Sequence, residues 1–220
     1  MHFVGRKKEI GQIKEALEER KNVIVVGKYG IGRTSFIRHA AQMMQDQWRF
    51  LFVDFSKTPG SVCSYLLAEL FPAHKFDRED LKYRPSRFRI VTLSLDDSRK
   101  QVIVLDNVSK LSAQKLELIR YLTWKKRFQF ISIVESFLPS NDLFRLRVWM
   151  NPSIVVKLHH LSASSVVQFY GQLSKEHQLG WTEGQINNLA EITGGYPLRM
   201  QEIALRELQR KRQKMNVGAH

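Results

Sequence analysis

The stretch VVGKYGIGRTS at residues 25–35 places Gly27, Gly30 and Gly32 just before a run of polar side chains, Arg33, Thr34 and Ser35. Its spacing is that of the phosphate-binding pattern G-x-x-x-x-G-K-[ST], with Gly27, Gly32 and Thr34 in register and Arg33 in the lysine slot. The glycines, with Tyr29 and Ile31 between them, allow the backbone to wrap closely, so that its N–H groups and the start of the following helix can hold phosphates. The Thr34 hydroxyl is placed to bind Mg2+. The usual lysine reaches the β- and γ-phosphates as a compact charge. Arginine keeps the charge but is longer, planar and forked. Binding of ATP or ADP can therefore survive while transition-state positioning suffers. Lys28, early in the loop, is either a group that reaches across a dimer interface or a solvated lysine.

A second chemistry-bearing position is Asp106, which closes the apolar run QVIVLD and can hold magnesium together with Thr34. Asn107 follows it, where a hydrolytic site usually has a glutamate to polarise the attacking water. Asparagine cannot accept that proton. Glu135, at the end of another apolar run, is either a nearby substitute or a plain loop carboxylate. With Arg33 for lysine and Asn107 for glutamate, the expectation is slow or absent hydrolysis.

These residues need particular elements beneath them. NVIVV (22–26) is a β-branched, apolar run without alternation, as a strand buried on both faces is; RFLFVDFS (49–56) reads as a second buried strand, QVIVLDNV (101–108) as a third apolar one, FQFISIVES (128–136) as a fourth and SIVVKLHHL (153–161) as a fifth, short one. Helical spacing is read over 6–20, from Thr34 onward, and over 61–71, 86–95 and 112–124. Strands alternating with helices predict a five-stranded parallel sheet flanked by helices. After residue 162 the pattern changes to three helices. Ser162 or Ser164 is expected to cap the first and Thr182 the second, and Thr193–Pro197 separates the second from the third. The predicted organisation is an α/β domain over 1–161 and a small helical lid with a basic tail over 162–220.

Composition narrows the class further. Lys and Arg total 35 against 21 Asp and Glu, a formal net charge of +14, which points to a polyanionic partner such as the DNA phosphate backbone. The denser basic places are 78–100, with Tyr83 and Phe88 among its cations, and the tail RELQRKRQKMN. The single cysteine, Cys63, excludes an internal disulfide and reads as a buried small side chain. No apolar run approaches the ~18 residues of a membrane span. The N-terminus has no secretory h-region, and a cytoplasmic location is expected. His159–His160 lack other ligands at metal spacing and read as strand-end residues.

Taken together, these motifs resemble the P-loop ATPases of the AAA+ and STAND type, with most similarity to compact archaeal-type ATPases and transposition-regulating ATPases. The resemblance covers almost the whole chain. FVGRKKEIGQIKEAL looks like the family's N-terminal box, which implies that Phe3, Val4, Gly5 and Arg6 line the base pocket. GKYGIGRTS matches the Walker A loop except at Arg33, and VIVLDN matches Walker B through Asp106 but departs at Asn107. ISIVES is similar to the sensor-1 strand, with Ser136 as the polar sensor. LFRLRVW occupies the stretch of the arginine finger, which would be Arg145 or Arg147. TGGYPLRM resembles the start of the sensor-2 helix, with Pro197 near adenine and Arg199 near phosphate. The family often adds a winged helix after the lid, so a minimal protein and a piece of a larger one both fit.

Three functions follow from this reading. The first is a nucleotide-binding, DNA-associated regulator or assembly factor with weak or absent hydrolysis, forming a homo-oligomer or part of a larger complex. The second is a working ATPase with Arg33 in the lysine's role. The third is a non-catalytic interaction scaffold.

Overall fold

The computed structural model describes residues 3–95 and 97–217, without the side chains at 212 and 214–217. Five strands, β1 (Asn22–Val26), β2 (Trp48–Asp54), β3 (Lys100–Val108), β4 (Gln129–Val134) and β5 (Ser153–Lys157), form one sheet in the order β2-β3-β4-β1-β5. Every pairing is parallel. Both faces of such a sheet must be covered, which is why its strands are apolar at successive positions. On β1, Ile24 belongs to one core while Val23 and Val25 belong to the other.

One face carries α1 (Lys7–Glu18) and α2 (Arg33–Met43), whose Ile13, Leu17, Phe36 and Ile37 are buried against it. The other carries α3 (Pro59–Leu70), α4 (Tyr83–Thr92), α5 (Ala113–Trp124) and α6 (Ser140–Trp149). The chain then forms α7 (Ala163–Glu176), α8 (Glu183–Thr193) and α9 (Pro197–Val217). These three helices pack about a separate apolar cluster of Val166, Phe169, Tyr170, Leu173, Met200 and Ala204, joined by Val4 from the N-terminal segment.

Of the two serines expected to cap α7, Ser162 does so, its hydroxyl accepting from the Ser165 N–H. Thr182 and Gln185 form a reciprocal capping box at α8. Three details differ from expectation. The fourth and fifth strands end at Val134 and Lys157, so Glu135, Ser136 and His159 lie beyond the sheet. Helix α4 begins at Tyr83, three residues early. Helix α6 was not anticipated, because only Leu146 of its ten residues is buried and no apolar stripe marks it.

Candidate functional site

Strand β1, the glycine loop and α2 follow one another without a break. Gly30 and Gly32 take φ values of 73° and 83°, the left-handed region that glycine enters at little cost. Gly32 is the N-cap of α2 and offers no side-chain acceptor, so the first N–H groups of the helix are left for an external acceptor. A Cβ on Gly27 would lie 2.8 Å from Ile31 Cγ2, so the closeness of the turn itself requires glycine there.

Arg33 is buried, 7% exposed, and its guanidinium runs to the end of β4. It donates to the Val134 carbonyl and, at 2.6 Å, to the Glu135 carboxylate, forming a salt bridge. The charge in the lysine slot is thus spent inside the protein. Glu135, considered from sequence as a stand-in base, is the counter-ion of that arginine.

Thr34 and Asp106 meet as expected: the threonine hydroxyl donates to Asp106 Oδ1 at 3.1 Å. Hydroxyl plus carboxylate is the hard oxygen pair that Mg2+ takes when most of its other ligands are water and phosphate. Asn107 sits in a bulge of β3 with φ 58°. Asparagine tolerates this conformation better than most side chains. Its N–H donates to Asp106 Oδ1 at 2.9 Å and its side-chain amide donates to Asp54 Oδ1 at 3.2 Å. Asp54 is level with Asp106 on the neighbouring strand, and its carboxyl is held below the usual range, chiefly by the Ser56 hydrogen bond. In the sequence Asp54 is only an acidic residue within RFLFVDFS, with no motif to mark it. Lys115 donates to the Phe55 carbonyl at 2.6 Å, and burial lowers its pKa.

The N-terminal segment and α9 close the other side of the loop. Gly5 and Arg6 are both left-handed, with φ 71° and 62°. Arg6 is buried and bonds Glu9 at 3.1 Å and the His159 carbonyl. Phe3 stacks on His39 at 4.1 Å, a pairing with no sequence signal. Between them lies a cavity of about 270 Å3 lined by Phe3, Val4, Arg6, Ile31, Phe36 and Pro197, close to the ~300 Å3 at which small-molecule sites begin. Ser35 also borders it. Leu198 N–H donates to the Gly30 carbonyl at 3.1 Å, and the Tyr196 hydroxyl donates to the Tyr29 carbonyl. A Cβ on Gly30 would strike that hydroxyl at 2.6 Å.

Other expected residues stand apart. Lys28 and Tyr29 are exposed on the loop. Ser136 lies exposed in the turn after β4. Arg145 and Arg147 are exposed on α6, with Arg145 3.6 Å from Asp142. Arg199 is exposed and does not line the cavity, whereas Pro197 and Met200 do. Among the described residues, no group of three or more His, Cys, Asp or Glu is placed to hold a metal, and no helix is long and apolar enough to cross a membrane.

Residues 16–140, more than half of the chain, match the AAA domain family. The chain belongs to that family. Its P-loop fold is shared with solved structures of low identity. The Aeropyrum pernix Orc1 protein in complex with DNA is 14% identical with a TM-score of 0.66, covering 96% of this chain and 62% of that one. Cdc6p from Pyrobaculum aerophilum is 16% identical with a TM-score of 0.70, covering 95% and 62%. The Thermotoga maritima RuvB Holliday junction branch migration motor is 16% identical with a TM-score of 0.60, covering 99% and 65%. The chain therefore spans just under two thirds of the length of these proteins. No curated protein matches it.

Proposed function

We propose that this AAA-family chain binds ATP or ADP between a nucleotide-binding domain, 1–161, and a helical lid, 162–220, and hydrolyses it weakly or not at all. The observation that carries this reading is the paired state of the loop: Thr34 still meets Asp106, while Arg33 is committed to Val134 and Glu135. The base enters the cavity beside Phe3, Val4 and Pro197, with Gly5 and Arg6 shaping its wall. The phosphates rest on the N–H groups of the loop and of the start of α2. Thr34 and Asp106 would hold Mg2+, which would supply neutralisation of phosphate charge. Arg33, paired with Glu135, does not supply the lysine's cation, and Asn107 holds Asp54 instead of taking a proton from water.

The partner is DNA, engaged through its phosphate backbone without sequence readout, in a homo-oligomer or a larger complex where Arg145 or Arg147 reaches a neighbour. Support comes from the net charge of +14 and from two fold relatives, one solved with DNA and one described as a Holliday junction motor. Much of the charge over 78–100 is internally paired: Lys82 with Glu79, Arg87 with Glu117, Arg89 with Asp80 and Arg99 with Asp97. In the tail, Lys211 is spent on the His177 and Gln178 carbonyls.

Calorimetric titration of ATP and ADP with Mg2+ tests the nucleotide reading, wild type beside Arg33→Lys. Wild type is expected to bind both nucleotides about equally, because Arg33 is committed to Val134 and Glu135 and does not favour the γ-phosphate, and Arg33→Lys is expected to shift preference toward ATP. Absence of binding by either protein sinks the proposal. Steady ATP turnover by wild type that Asp106→Ala abolishes would overturn the weak-hydrolysis part.

A further inference from the structure

A large cavity lies at the end of the sheet opposite the glycine loop. It is a groove of about 940 Å3 where the amino ends of β1, β3 and β4 meet the end of α5 and the turn before β5. Five cations line it against two carboxylates, Glu19 and Glu117. Those two carboxylates are already occupied, Glu19 by Lys21 at 2.5 Å and Glu117 by Arg87 at 2.7 Å.

Large aromatic side chains stand among the cations. Trp124 is 72% exposed and Trp149 37% exposed, both on the groove. Lys125 lies 4.9 Å from the Trp124 ring and Arg120 lies 5.4 Å from the Trp149 ring. Trp124 in particular presents most of its ring to solvent on a groove whose charged lining is mainly cationic. The floor carries a second signal. Gln101 is 3% exposed, yet its Oε1 has no hydrogen-bond partner among the described residues, and neither has Thr123 Oγ1 beside it. A buried acceptor without a donor is unfavourable. Both residues line the groove.

From this juxtaposition we infer that the groove is a binding site for single-stranded nucleic acid. Cations flanking aromatic faces suit a chain of phosphates carrying unpaired bases, which stack on such faces whatever their identity. A duplex keeps its base faces covered and gains only the charge. The site is separate from the glycine loop and does not depend on nucleotide binding there. It gives the nucleic-acid reading a particular place, built mostly on cations other than the paired ones of 78–100.

The test is fluorescence anisotropy with labelled oligothymidylate and oligouridylate of roughly 20 nucleotides and a duplex of the same length, between about 50 and 200 mM salt. Trp124→Ala, exposed and so tolerated by the fold, is measured beside Arg120→Glu and beside Arg84→Glu on the 78–100 surface. Single strands are expected to bind more tightly than duplex and to quench tryptophan emission. Trp124→Ala is expected to weaken single-strand binding roughly fivefold or more without changing net charge. Arg120→Glu should weaken it further and flatten the salt dependence, and Arg84→Glu should leave it nearly unchanged. The DNA and RNA arms show which strand is preferred. Binding that survives Trp124→Ala and falls with Arg84→Glu would overturn the groove while leaving DNA association intact. Absence of binding to any nucleic acid would remove both.

Discussion

Arg33 and Glu135 form the ion pair that joins the start of α2 to the end of β4. An ion pair with one partner 7% and the other 18% exposed has lost much of its hydration, and removing one member leaves the other uncompensated. Glu135→Ala is expected to destabilise the protein by about 3 kcal/mol in urea titrations, and the double change Arg33→Met with Glu135→Leu is expected to recover most of that loss. A double change no more stable than Glu135→Ala would show that the pair is not what holds the loop to β4. The defect at Arg33 was plain in the sequence, since a motif has a slot for each residue. Its partner was not, because it lies 102 residues away and nothing local announces an ion pair. Asn107 divides the same way: the missing carboxylate is legible, whereas the left-handed bulge that suits asparagine appears only once β3 pairs with β4.

At the scale of elements, the strands were readable because burial on both faces leaves an unbroken apolar run, and α7 and α8 were readable because their caps are local hydrogen bonds between residues three apart. Helix α6 escaped because it lies on the surface with one buried side chain. The turn into β3 offers a measurable pH dependence. Asp97 accepts from the Arg99 guanidinium at 2.7 Å and lies 3.8 Å from Arg49 of β2. That arrangement, the Arg99 hydrogen bond first, holds its carboxyl at about 2, below the ordinary 3.8. A depressed carboxyl stabilises the fold fully above the unfolded value and loses that contribution as pH falls through the folded value. Asp97→Asn should therefore be less stable than wild type at neutral pH, and the two melting curves should converge between pH 3.8 and about 2. Parallel curves across that window would refute the role given to Asp97.

In the whole molecule the glycine loop and the cationic groove lie at opposite ends of one sheet. On one face of that sheet α3 carries Cys63, which is fully buried, and burial pushes its thiol up to about 12. The thiolate is the reactive form, so Cys63 is expected to resist maleimide at pH 8 in the native protein and to react quickly in denaturant. Rapid labelling of the native state would mean that the face carrying α3 opens on its own. The positive charge, visible in composition, gains meaning only from the fold, which pairs much of it over 78–100 and gathers another part around two tryptophans. At the other end, α9 is fastened to the glycine loop at Gly30 and Tyr29. Those two hydrogen bonds tie the start of α9 directly to the backbone of the loop. On the proposed reading of that loop as a phosphate cradle, the link makes α9 a pointer: a change in the loop is carried to a helix 21 residues long.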